Sequence, residues 1–229
     1  MPADPPAPAR GSAGVTPGSP PDPGNRPGRS AVSRARLFVA ATPPVEVTEV
    51  LIAAVSRARP SAPTLRWVVD PQRIHLTLVF LGSVDDALRQ DLADRLGHVA
   101  RHHPPVAVRL AGVGRFGDRV LWAGVAGALA PLAAGVRRAA GKAGVAGLDD
   151  RPLRAHLTLA RVPAGRNLSG TGTGAVASGV DPGPVLAAQA ALGELPALAW
   201  TVDRFELVRS VLGPHPRYVV ESAWPLSGS

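Results

Sequence analysis

The segment Arg73-Ile74-His75-Leu76-Thr77-Leu78-Val79-Phe80-Leu81 returns 81 residues later as Arg154-Ala155-His156-Leu157-Thr158-Leu159-Ala160-Arg161. Both read as strands, in which residues two apart share a face. His75 and Thr77 then point one way, as do His156 and Thr158, with the leucines behind them. The alternation fixes register, because a slip of one residue would bury the imidazole and expose the leucines. With six histidines in 229 residues, roughly a quarter of one His-x-Thr tripeptide is expected by chance. Two copies with the same leucine flanks require an internal duplication or a common function. They predict an α+β fold of two related lobes, with mainly antiparallel sheets lining a central cleft to which each lobe brings one histidine strand.

Working outward, Arg36 to Ala41 is a short β-favouring run ended by Pro43-Pro44, and a helix is expected over 45–57. Gly82 should stop the first histidine strand. Ser83, Asp85 and Asp86 are candidate caps for a helix reaching about Arg101. Val106 to Val113 and Arg119 to Val125 flank the turn residues Gly114 to Asp118, a hairpin pattern, and an Ala-rich helix follows over about 129–143. From Pro163 to Pro196 the chain is mostly Gly, Ala, Ser and Thr and reads as one long flexible loop. Thr201 to Leu212 and Arg217 to Trp224 make a last hairpin around Gly213-Pro-His-Pro216. Residues 1–33, rich in Pro, Gly, Ala and Ser, cannot bury enough apolar surface to offset chain entropy and are expected to be a disordered tail before a domain spanning 34–226.

Forty-five per cent hydrophobic residues suffice for a core without staples, and the absence of cysteine excludes disulfides, thiol nucleophiles and thiolate metal sites. The N-terminal segment lacks the apolar centre of a signal peptide, so a cytoplasmic protein is expected. Val120 to Val136, the longest uncharged apolar-rich stretch of the body, is shorter than a membrane span and contains Gly124, Gly127 and Pro131. A formal charge of +8 and a pI near 11.4 favour a polyanionic partner, nucleic acid or nucleotide first. Nearly all the basic residues are arginine, a bias that codon usage alone would also produce.

Two imidazoles facing one another suit acid–base chemistry near neutral pH, since the ring's ordinary pKa is about 6.5. A neutral ring accepts a proton from water, a charged ring donates to a departing alkoxide, and the threonine hydroxyls hydrogen-bond phosphoryl oxygens. Metal coordination competes with this reading, although the nearest carboxylates in sequence, Asp70, Asp149 and Asp150, lie outside the motifs. His98, His102 and His103 read as the solvated C-terminal end of a helix, His215 as a turn residue, and Trp67, Trp122, Trp200 and Trp224 as core. No Walker phosphate loop is present in the sequence.

The paired motifs resemble the two-histidine (2H) phosphoesterases, specifically the LigT-like (ThpR) RNA 2′,3′-cyclic phosphodiesterases. The resemblance runs from Arg36 to about Leu226. It includes Arg36-Leu-Phe-Val-Ala40, His75-Leu-Thr-Leu-Val-Phe-Leu-Gly82, Gly112-Val-Gly-Arg-Phe116, Arg119-Val-Leu-Trp-Ala-Gly124, Arg154 to Arg161 and Val208-Arg-Ser-Val-Leu212. It implies an enzyme that hydrolyses RNA 2′,3′-cyclic phosphate ends to 2′-phosphates, with a possible reverse 2′-5′ ligation. His75 would be the proton donor and His156 the acceptor, Thr77, Thr158 and Arg161 would hold the phosphate, and no cofactor or metal would be needed. The partner would be an RNA or oligonucleotide end, met by a monomer without a membrane. Simple alternation puts Arg161 on the face opposite His156, so a strand end, twist or bulge has to re-aim it. The proline-rich tail and the stretch over 163–196 are longer than the family pattern. A non-catalytic nucleotide- or RNA-binding module on the same fold is the alternative.

Overall fold

The computed structural model describes residues 33–163, 183–211 and 217–228. The expected tail over 1–33, apart from Ser33, His215 and the tip of the last hairpin lie outside the described residues. Among those described, nine strands form one antiparallel sheet: β1 (Arg34–Ala41), β2 (Arg66–Trp67), β3 (Leu76–Asp85), β4 (Val106–Phe116), β5 (Val120–Gly127), β6 (His156–Arg161), β7 (Ala199–Val202), β8 (Arg204–Val211) and β9 (Arg217–Pro225). The order is β7-β4-β5-β6-β3-β1-β8-β9, with β2 paired to β6. The two expected lobes are thus the halves of a continuous sheet, β3-β1-β8-β9 and β6-β5-β4-β7, which meet where Leu76 pairs with Leu157.

Four helices, α1 (Val45–Ala58), α2 (Arg89–Arg101), α3 (Ala130–Lys142) and α4 (Gly183–Leu192), cover one face of the sheet. Leu51, Val55, Leu92, Leu96, Leu132 and Val136 from the helices pack with Leu37, Val39, Leu76, Leu121, Leu157 and Leu159 from the strands into one core. The leucines of both motifs belong to it, as their alternation required. The helices cross between halves. α3 follows β5 yet packs on β3 and α2, while α1 packs on α4, which lies under β4 and β5. The opposite face of the first half keeps a separate small cluster of Phe38, Ala40 and Val208. This open face carries the histidines.

Three expectations need correction. β3 does not stop at Gly82; that residue takes φ +71° and the strand continues to Asp85, which pairs with Arg34. Of the loop expected over 163–196, residues 164–182 lie outside the described residues, and Gly183–Leu192 form α4, whose Val185, Ala188 and Leu192 are buried. Its Ala- and Leu-rich sequence has no polar face to contrast with the buried one, so helical periodicity was invisible. Finally, the single strand expected over 201–212 is two strands in opposite halves of the sheet: β7 pairs with β4 in the second half and β8 with β1 in the first, the chain changing sides at Asp203.

Candidate active site

Leu76 and Leu157, the pair that joins the halves, each follow a histidine. Antiparallel register around that pair runs His75 towards Thr158 and Thr77 towards His156, so four polar side chains meet on the open face. Among the sequence-predicted residues, the histidines and threonines are therefore brought together as expected.

Each ring is held in the same way. His75 Nδ1 donates to the Arg73 carbonyl at 3.0 Å, and His156 Nδ1 donates to the Arg154 carbonyl at 2.6 Å. A carbonyl only accepts, so Nδ1 carries the hydrogen and Nε2 is left for whatever occupies the open face. Aromatic rings fix the imidazole planes. Phe38 and Tyr218 stand 4.9 and 5.0 Å from His75, Tyr218 edge-on; Phe116 stands edge-on to His156 at 4.9 Å, with Trp122 at 6.2 Å. The guanidinium of Arg73 lies over Tyr218 at 5.9 Å, and that of Arg154 over Phe116 at 5.8 Å. These supporting groups escaped the sequence reading, although an arginine two residues before each histidine was visible in the repeat. Trp122 was expected in the core and instead borders His156. Its indole fits because position 114 is glycine: a Cβ there would run into the six-membered ring.

Burial lowers both imidazole pKa values. For His75 burial dominates and brings the value to about 4; its bond to Arg73 opposes this, while the nearby positive charge of Arg161 and the coupling to His156 add to it. His156 is lowered too, chiefly by burial and then by Arg161, against its bond to Arg154. In both rings burial thus favours the neutral form.

Arg161 reaches this face. Between β5 and β6 the register shifts, Leu121 facing Ala160 and Trp122 facing Thr158, so Leu159 is an extra bulged residue. The bulge reverses the alternation beyond it, and Arg161 Nη2 donates to Thr158 Oγ1 at 3.2 Å. The first half repeats the device: Ala40 faces Thr77 and Val39 faces Val79, leaving Leu78 as the extra residue. Among the described residues no cluster of three or more His, Asp or Glu side chains is arranged to hold a metal ion. His98 and His102 stack on each other at the end of α2, at 4.1 Å, with the His102 ring bonded to the His98 carbonyl. Among the described residues no helix is long and apolar enough to cross a membrane.

The chain is similar in sequence and in fold to known proteins. The LigT like Phosphoesterase family model matches residues 42–125, which include the first motif. A Thermus thermophilus protein named RNA 2′,3′-cyclic phosphodiesterase is 36% identical over 209 residues, covering 84% of this chain and 91% of that protein. A Geobacillus stearothermophilus protein of the same name is 29% identical over 86% of this chain, which spans only 59% of that relative's length. Among solved structures, one from Thermus thermophilus superposes with a TM-score of 0.64 at 30% identity, over 84% of this chain and 98% of that one. Escherichia coli LigT in its apo form shares the fold at a TM-score of 0.61 and 24% identity, over 85% and 98%.

Proposed function

The chain belongs to the LigT-like phosphoesterase family, and from that premise we propose that it opens RNA 2′,3′-cyclic phosphate ends to 2′-phosphomonoesters using His75 and His156. One observation carries the reading: two imidazoles whose Nδ1 atoms are tied to backbone carbonyls lie on either side of the Leu76–Leu157 pair, so that both Nε2 atoms are left for one phosphate.

Water attacks phosphorus while His156 Nε2 accepts its proton. The P–O3′ bond breaks as His75 Nε2 protonates the departing 3′ oxygen, leaving the phosphate on O2′. Thr77, Thr158 and Arg161 bind the non-bridging oxygens, with Arg161 countering the negative charge that grows there. The donor must be charged, whereas burial favours the neutral form of His75. The anionic phosphodiester beside it raises its proton affinity, so substrate loads the acid. If a ribose 5′-hydroxyl replaces water, the same proton transfers create a 2′-5′ link. Both histidine strands come from one chain, so a monomer would be a complete working unit.

The test is a 2′,3′-cyclic nucleotide incubated with excess chelator, followed by product identification. Full turnover to the 2′-phosphate is expected. Loss of turnover on chelation, restored by added metal, would replace the two-histidine mechanism with metal hydrolysis.

A further inference from the structure

The edge of β6 that faces the first half is shared by two strands. β3 pairs there at Leu157, and β2 takes over further along: Val68 N donates to the Leu159 carbonyl at 2.8 Å, and Trp67 and Arg66 then pair with Ala160 and Arg161. Trp67 and Ala160 pack on the core side, so Arg66 and Arg161 turn to the open face, where Arg161 meets Thr158. Both arginines are exposed, and among the described residues neither has a carboxylate partner. Arg73 and Arg154, by contrast, each lie over an aromatic ring. Like charges directly opposite one another on paired strands repel, and bound anions remove that cost. One arginine of the pair is already assigned to the cyclic phosphate, and Arg66 stands across from it without a task.

We propose that Arg66 binds the internucleotide phosphodiester on the 5′ side of the terminal nucleotide, an inference that rests on the reading of this site as a cyclic phosphodiesterase. In that reading His75 protonates O3′, which puts the ribose on the His75 side of phosphorus and the attacking water on the His156 side. Register places Arg66 on the same first-half edge of β6 as His75, at the Arg161 end. The ribose carries the next phosphate of the strand on its C5′, one sugar away from the phosphate that Arg161 and Thr158 hold. A free cyclic nucleotide has no charge at that place. Arg66 therefore makes the site select the end of a chain over a mononucleotide, and because a phosphate contact carries no base information, the selection is independent of sequence.

The experiment measures kcat and KM for adenosine 2′,3′-cyclic phosphate, for a diadenylate with the same cyclic end, and for that diadenylate with an uncharged methylphosphonate linkage, using the full chain, Arg66→Met and Arg66→Lys. The wild type should prefer the charged diadenylate to its neutral analogue roughly 5–50-fold, chiefly in KM, and Arg66→Met should abolish the preference. Arg66→Lys should keep part of it. The log–log salt dependence of KM for the charged diadenylate should flatten by about 0.7 in Arg66→Met, the share of one single-strand phosphate contact. No preference in the wild type, or one that survives Arg66→Met, would overturn the subsite. Equal weakening of mononucleotide and diadenylate would put Arg66 on the cyclic phosphate and overturn it as well. Calorimetry of the diadenylate 2′-phosphate and of adenosine 2′-monophosphate separates binding from chemistry: a chain that binds the former more tightly through Arg66 yet fails to open the cyclic ester would overturn the reaction and leave the subsite standing.

Discussion

The halves of the sheet use one framework for two electrostatic purposes. Each has a His-Leu-Thr-Leu strand, a ring tied to the carbonyl two residues back, an arginine over an aromatic ring and a bulge at the second leucine. They differ in what faces the site: Ala40 lies opposite Thr77 and Phe80 follows the bulge, whereas Trp122 lies opposite Thr158 and Arg161 follows. The first half is thus deeper and more apolar around its histidine, and the second more cationic. Duplication supplies two equivalent imidazoles, and under the proposed mechanism the asymmetry of the surroundings would let them take opposite protonation roles.

The largest expected effect tests whether the halves act as a pair. Replacing His75 or His156 by Ala should each lower kcat by roughly 10²–10⁴-fold on a 2′,3′-cyclic nucleotide. A substrate with a better 3′ leaving group should rescue His75→Ala and not His156→Ala; the reverse would exchange the two roles. Near-normal turnover in both variants would leave only a non-catalytic binding module.

The deeper burial of His75 makes a prediction about stability. Its folded pKa, about 4, lies below the unfolded value near 6.5, so the unfolded chain binds the proton first. This penalty is absent above about pH 6.5 and complete below about pH 4, reaching about 3 kcal/mol. Urea unfolding as a function of pH should therefore show a steeper acid loss in the wild type than in His75→Gln. Parallel curves would mean that His75 is not buried enough to matter.

On the cationic side, Arg161→Met should lower kcat/KM roughly 10–100-fold, the value of charge-assisted hydrogen bonds to a phosphate, with little change in melting temperature. Gly114→Ala tests the Trp122 pocket and should cost about 1–3 kcal/mol of stability, because a methyl group overlapping the indole forces the ring or the strand to move. The smallest effect belongs to Phe80: Phe80→Ala should leave folding stability within about 0.5 kcal/mol of the wild type by urea unfolding, since most of that ring already faces solvent.

The sequence by itself determined the two histidine strands, the faces of His75, Thr77, His156 and Thr158, and most helices, because strand alternation and helix punctuation are local and both motifs bury their leucines as the pattern demands. It also posed the difficulty of Arg161 without resolving it. Tertiary structure alone decided that point, since a bulge at Leu159 is a mismatch between two strands and no property of one. It likewise decided that 199–211 splits between the two halves of the sheet, that the featureless Ala-rich segment over 183–192 is a helix, and that Tyr218 and Phe116 support the imidazoles. Each of these depends on partners distant in the chain, and strand pairing and packing against distant residues override the local signal wherever that signal is weak.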